Sequence, residues 1–131
     1  MSGPYNETVR DHFENPRHQW RMDQPTVVAD AHNPVCGDRV RLFLRLEGDT
    51  IKEASFQAQG CPASIAASSM TTCILEGKSL TEARALTNED VERALGGLPP
   101  GKGHCSVLAE DAIHQALRVL PGEAGPRAPK A

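Results

Sequence analysis

Five residues carry atoms suited to a thiophilic metal ion: Cys36, Asp38, Cys61, His104 and Cys105. They supply three thiols, one imidazole and one carboxylate, and each lies where the local sequence signals the end of an element. Cys36 and Asp38 are two apart in Asn33-Pro34-Val35-Cys36-Gly37-Asp38, so an extended backbone presents both to the same side, and Gly37 leaves room for another group to approach. Cys61 lies between Gly60 and Pro62. Because proline favours the first helical position, Cys61 falls at or beside a helix N-cap, where free amides and the helix dipole favour a thiolate. Cys105, in Gly103-His104-Cys105-Ser106, follows a glycine-bearing loop and continues the inner stripe of the helix after it, so it faces the sheet. His104 could reach the same place from the loop.

Zinc accepts such donors in tetrahedral geometry, and iron–sulfur clusters take thiolates above all. Structural zinc sites are usually closed by four strong ligands. A carboxylate matches cluster iron less well than a thiolate does, so a cluster held this way is easier to give up. The donor set suggests delivery. Each motif alone has a plainer reading: a buried Cys beside a Gly-Asp turn, a Cys closing a strand-to-helix corner, or a His-Cys dipeptide acting as a catalytic dyad. Cys73 is excluded from the set because twelve helical residues, about 18 Å, separate it from Cys61. His12, His18, His32 and His114 read as surface or structural residues.

The elements that must gather these groups are legible in outline. Tyr5 to Glu14 predicts a short helix ended by Asn15-Pro16. Thr26 to Ala29 suits an edge strand. Arg39 to Leu46 alternates, with Val40, Leu42, Leu44 and Leu46 on one face, and Ile51 to Ala58 places Ala54, Phe56 and Ala58 on one face. Pairing residue i with 98 − i matches Val40 with Ala58, Leu42 with Phe56 and Leu44 with Ala54. This register is preferred, with a three-residue loop, over the 97 − i register of a two-residue Gly48-Asp49 loop, which would split the apolar face. In either register Cys36 and Cys61 emerge at the same end of the hairpin.

Beyond the hairpin the period becomes helical over Pro62 to Glu76, Ser79 to Ala85 and Asn88 to Leu95, the last two opened by a capping Ser79 and Asn88. After the Gly/Pro loop GGLPPGKG, Ser106 to Leu120 predicts a helix with Ala109, Ala112, Ile113, Ala116, Leu117 and Leu120 in one stripe. The division is one domain over residues 1–120 and a Pro/Gly/Ala tail over 121–131 expected to be disordered.

The totals narrow the function. A chain of 131 residues suits a single modest core. A formal charge of −3 and five aromatic residues give neither a basic field nor a stacking platform, which argues against nucleic acid and anionic membrane as partners. The first twenty residues hold no apolar run, and no later stretch is long enough to span a bilayer, so a cytoplasmic protein is expected. Reduced thiols fit that compartment.

The chain resembles the U-type iron–sulfur cluster assembly scaffolds, the family of IscU and the amino-terminal domain of NifU. YNETVRDHFENPR, PVCGD, GCPASIAASSM and LPPGKGHCSVLAEDAI carry the likeness, together with the final helix. The resemblance implies an α+β fold, with a three-stranded antiparallel sheet and helices packed on one face. It implies a carrier and not an enzyme: a scaffold that accepts persulfide sulfur from a cysteine desulfurase, binds iron, builds a labile [2Fe–2S] cluster and passes it to apo iron–sulfur proteins. By motif, Cys36, Cys61 and Cys105 are the cluster cysteines, Asp38 the carboxylate that keeps the cluster labile, His104 an auxiliary ligand, and Cys105 the sulfur acceptor. Thiolate character and access on a loop hinged at Gly101-Lys102-Gly103 suit that acceptor role. Further implied partners are a frataxin-like protein, ferredoxin and Hsp70/J-protein chaperones.

Departures from the family pattern are visible. The docking motif Leu-Pro-Pro-Val-Lys stands here as Leu98-Pro99-Pro100-Gly101-Lys102, and losing the valine weakens its fit to a hydrophobic Hsp70 groove. Pro62 stiffens the start of its helix, Gly103 loosens the His104-Cys105 loop, and Cys73 has no family role. The alternative is a SufU-like sulfur acceptor with a permanent zinc, a branch that carries an insertion before the last cysteine and lacks the histidine. A cysteine-dependent enzyme using Cys105 with His104, and a plain zinc-stabilised domain, are the remaining readings.

Overall fold

A computed structural model describes residues 6–33, 37–98 and 103–118, with only the backbone of Gly103 and His104. The expectations for Cys36, for the His104 side chain, for Pro99 to Lys102 and for the tail therefore lie outside the described residues. Among the described residues eight elements follow one another: α1 (Glu7–Glu14), β1 (Val27–His32), β2 (Arg39–Glu47), β3 (Thr50–Gln59), α2 (Pro62–Leu75), α3 (Leu80–Arg84), α4 (Asn88–Ala94) and α5 (Gly103–Arg118). The sheet is antiparallel in the order β1-β2-β3. The α+β architecture of the sequence reading is present.

The apolar face sets the register. Val40 pairs with Ala58, Leu42 with Phe56 and Leu44 with Ala54, which is the 98 − i pairing. The loop expected to accompany it is corrected. A bulge between Arg45 and Leu46 shifts the pairing, so Leu46 meets Ile51 and Glu47 meets Thr50 across a two-residue Gly48-Asp49 turn. Both registers coexist because one extra residue on β3 absorbs their difference.

The helices cover the face bearing Val40, Leu42, Leu44, Ala54 and Phe56. The larger core cluster joins that face to Leu75 of α2, Leu80 and Ala83 of α3, and Leu108, Ala112, Ile113, Ala116 and Leu117 of α5. A second cluster unites Val9 of α1 with Ala66 and Ala67 of α2, Val91 and Leu95 of the α4 segment, and Ala109 of α5. Small side chains on α2 let three helices approach it closely. The other face is not bare. The chain between α1 and β1 runs from the β3 edge, where His18 O accepts from Phe56 N, to the β1 side, where Thr26 N donates to Leu44 O. That path crosses the side of the sheet away from the helices, where Phe43 and Ser55 are buried.

Several helix boundaries move from their expected places. The cap of α4 is Thr87 and not Asn88: its hydroxyl accepts from Asp90 N while the Asp90 carboxylate accepts from Thr87 N. Ser79 caps α3 as expected, in the same reciprocal arrangement with Glu82. Helix α5 begins at Gly103, three residues before its predicted start.

His12 is structural. It is buried, with Nδ1 2.8 Å from Ser69 Oγ. Burial, then the Arg17 charge, lowers its pKa below the ordinary histidine value, against a smaller opposing effect of Asp11. The native state therefore resists a proton that the unfolded chain accepts, and stability falls as pH drops through and below the ordinary value of about 6.5. His12→Asn keeps a hydrogen-bonding group toward Ser69 and cannot titrate. Urea midpoints of this variant are expected to fall less between pH 7.5 and 5.5 than those of the wild type, and parallel curves would contradict the assignment.

Candidate metal centre

The strand register carries Asp38, immediately before β2, to the end of the sheet where β3 gives way to α2. Two backbone bonds shape the turn leading to it: Gly37 N to Asn33 O at 2.7 Å, and Asn33 N to Asp38 O at 2.8 Å. Gly37 sits at φ +84° with open space where a side chain would be. Its glycine is needed for backbone conformation and not for close approach. The close approach occurs at Gly60. A Cβ there would lie 2.6 Å from Asp38 Cγ and 2.7 Å from Oδ1. Any side chain at 60 would displace the carboxylate.

Cys61 is the N-cap of α2, with Pro62 at the first helical position and no side-chain capping bond. Cys105 lies within the first turn of α5, so both thiols stand at helix N-termini. The two sulfurs are 3.5 Å apart, and Cys61 Sγ is 3.4 Å from Asp38 Oδ2. One donor atom each from Asp38, Cys61 and Cys105 falls within 4.8 Å of the others. Metal–sulfur bonds of about 2.3 Å at tetrahedral angles separate their donors by about 3.5–3.8 Å. Cys61 already stands at nearly that spacing from both Cys105 and Asp38, and the chemistry of the three donors fits zinc or iron.

Exposure divides the pair. Cys61 is partly exposed, whereas Cys105 is only 1 % exposed. Burial pushes the Cys105 thiol up to about 12, with the neighbouring Cys61 and the Asp38 charge acting in the same direction and a hydrogen bond with Ser64 opposing them. The expected accessible thiolate on a movable loop is thus corrected: Cys105 is a buried helical thiol in this conformation. A cation among the three donors reverses the balance, since it replaces like-charge repulsion with attraction.

The excluded residues stay apart. Cys73 is exposed on α2. His18 has a carboxylate partner that the sequence did not suggest, with Nε2 3.5 Å from Glu76 Oε1. His114 stands 3.8 Å from Glu110 one turn earlier on α5. Sequence reasoning overlooked Ser64 and misplaced the glycine that matters. Ser64 Oγ lies 2.5 Å from Asp38 Oδ2 and 3.6 Å from Cys61 Sγ. Its spacing three residues after an N-cap Cys was the available signal.

Residues 4–125 match the family described as the NifU-like N terminal domain. The chain is 42% identical over 113 residues to the iron–sulfur cluster assembly scaffold protein IscU 1 of Archaeoglobus fulgidus, spanning 86% of this chain and 74% of that protein. It is equally 42% identical, over 118 residues, to the iron–sulfur cluster assembly scaffold protein IscU of Azotobacter vinelandii, covering 87% of this chain and 91% of that one. In fold it is similar to the crystal structure of a nitrogen-fixing NifU-like protein (N-terminal) from Brucella abortus, with TM-score 0.73 and 19% identity over 95% of this chain and 96% of the other.

Gly60→Ala tests the carboxylate cradle. Overpacking of this kind costs about 1–3 kcal/mol, so zinc affinity is expected to fall roughly ten- to hundred-fold while the far-ultraviolet circular dichroism is unchanged. Calorimetric titration showing wild-type affinity would refute the cradle.

Proposed function

The chain belongs to the NifU-like N-terminal domain family, and from that membership we propose that it is a scaffold on which an iron–sulfur cluster is assembled and from which the cluster is handed on. One observation carries the reading: a carboxylate and two thiols from three separate segments are gathered with their donor atoms within 4.8 Å of one another, where one of the thiols meets solvent. Cys36 and His104 complete the donor set in this proposal.

The cluster is cargo. Cys61 meets incoming metal first because it is the partly exposed thiol, presented at the N-cap of α2. Cys105 follows as the inner ligand, since the cation offsets the burial that otherwise keeps it protonated. The role of persulfide acceptor remains with Cys105. Its thiolate attacks the sulfane sulfur of a desulfurase persulfide, forming Cys105–S–S⁻ and releasing the donor cysteine as its thiolate. Burial requires the first turn of α5 to open for that attack. Asp38 is the weak grip. As an oxygen donor it holds cluster iron less firmly than a fourth thiolate would, and it dissociates first when a recipient offers cysteines.

The partners in this reading are a cysteine desulfurase, a frataxin-like protein, ferredoxin, Hsp70/J-protein chaperones and apo iron–sulfur proteins, in the cytoplasm. No helix among the described residues is long and apolar enough to cross a membrane.

Reconstitution tests the proposal. Incubation with a desulfurase, cysteine, ferrous iron and reductant is expected to build a visible-absorbing [2Fe–2S] chromophore. Failure alongside tight zinc binding would favour the SufU-like sulfur acceptor instead. Cys61→Ala and Cys105→Ala are each expected to abolish the chromophore. Asp38→Ala is expected to retain it and to slow transfer to an apo-ferredoxin about ten-fold or more, and transfer as fast as wild type would refute the lability role. After desulfurase treatment without iron, alkylation and peptide mass spectrometry are expected to find the added sulfur on Cys105; sulfur on Cys61 alone would reassign the acceptor.

A further inference from the structure

We propose that Ser64 is a positioning residue of the metal centre: its hydroxyl donates to Asp38 Oδ2 and fixes the carboxylate at the distance from the two sulfurs that a bound ion requires. The inference rests on the reading of Asp38, Cys61 and Cys105 as ligands and goes beyond it, because Ser64 is itself no ligand.

Ser64 occupies the first turn of α2, three residues after Cys61, and is fully buried. Other buried hydroxyls of that helix serve the fold. Ser68 Oγ donates to Ser64 O, Thr72 Oγ1 donates to Ser69 O, and Ser69 Oγ meets His12 and accepts from Arg17 N. Among the described residues, Ser64 alone on α2 turns its hydroxyl to the Asp38 carboxylate, at 2.5 Å, with Cys61 Sγ 3.6 Å away.

The consequence follows from counting protons. In the metal-free site the Cys61 thiol can donate to Asp38, across 3.4 Å. A bound cation expels that thiol proton. Ser64 keeps its own, so its hydrogen bond to Asp38 survives loading while the Cys61 bond does not. Gly60 walls the carboxylate on one side and Ser64 ties it on the other, leaving few rotamers to lose when metal arrives. Hydrogen bonds that orient a ligand in this way typically change metal affinity 10–100-fold.

Cobalt(II) titration of the full metal-free chain tests the role, because the ligand-field spectrum reports the donors as well as the affinity. Ser64→Ala is expected to weaken cobalt binding about ten-fold or more and to shift the spectrum toward that of Asp38→Ala. Ser64→Thr, which retains the hydroxyl, is expected to restore the wild-type spectrum. In the Asp38→Ala background the Ser64→Ala change is expected to cost much less affinity, because no carboxylate is left to position and only the hydrogen bond of Ser64 with Cys105 is lost. An unchanged spectrum and affinity in Ser64→Ala, an equal loss in both backgrounds, or Ser64→Thr resembling Ser64→Ala would each overturn the proposal. A wild-type chain whose cobalt spectrum is indifferent to Asp38→Ala would instead overturn the ligand assignment, and this role with it.

Discussion

A carboxylate pressed against a residue without a side chain holds the site together. Asp38 can lie beside Cys61 only because Gly60 leaves its space empty, and Gly60 can face Asp38 only because β2 and β3 pair in one particular register. That register follows from burial. A slip of one residue would turn Leu42, Leu44 and Phe56 away from the helices, so the hydrophobic core enforces the position of a polar group at its margin. Core and chemistry share one constraint.

The centre is prearranged and electrostatically uncomfortable. Two thiols and a carboxylate within a few ångströms, one thiol nearly sealed from water, suit protons or a cation far better than three negative charges. Partial exposure of Cys61 keeps a path to solvent, whereas burial of Cys105 protects the inner ligand.

Helix α2 bears on this balance through its composition. Alanines admit the neighbouring helices, and serines and threonines thread hydroxyls through an interior that aliphatic residues would fill more cheaply. Most of these hydroxyls are satisfied, but among the described residues Thr71 on α2 and Ser55 on β3 have no partner for their side-chain oxygens. Each such buried group costs about 1–3 kcal/mol.

Periodicity and local chemistry were enough to read the alternating strands, the inner stripe of α5, the Cys61 N-cap with Pro62 behind it, and the 98 − i register, because each depends on neighbours in sequence or on a buried face that declares itself. The residues of the site were legible as types, Asp38, Cys61 and Cys105 among them. Tertiary structure alone decided what surrounds them. The bulge at Arg45 and Leu46 reconciled two registers that looked exclusive, since an unpaired residue leaves no pattern in composition. Thr87 took the cap from Asn88 through its reciprocal bond with Asp90. The close approach fell at Gly60 rather than Gly37, Cys105 proved buried within a helix, and Ser64 turned toward Asp38. Sequence fixes what a side chain can do; burial and distance decide which of those things it does, and both depend on segments remote along the chain.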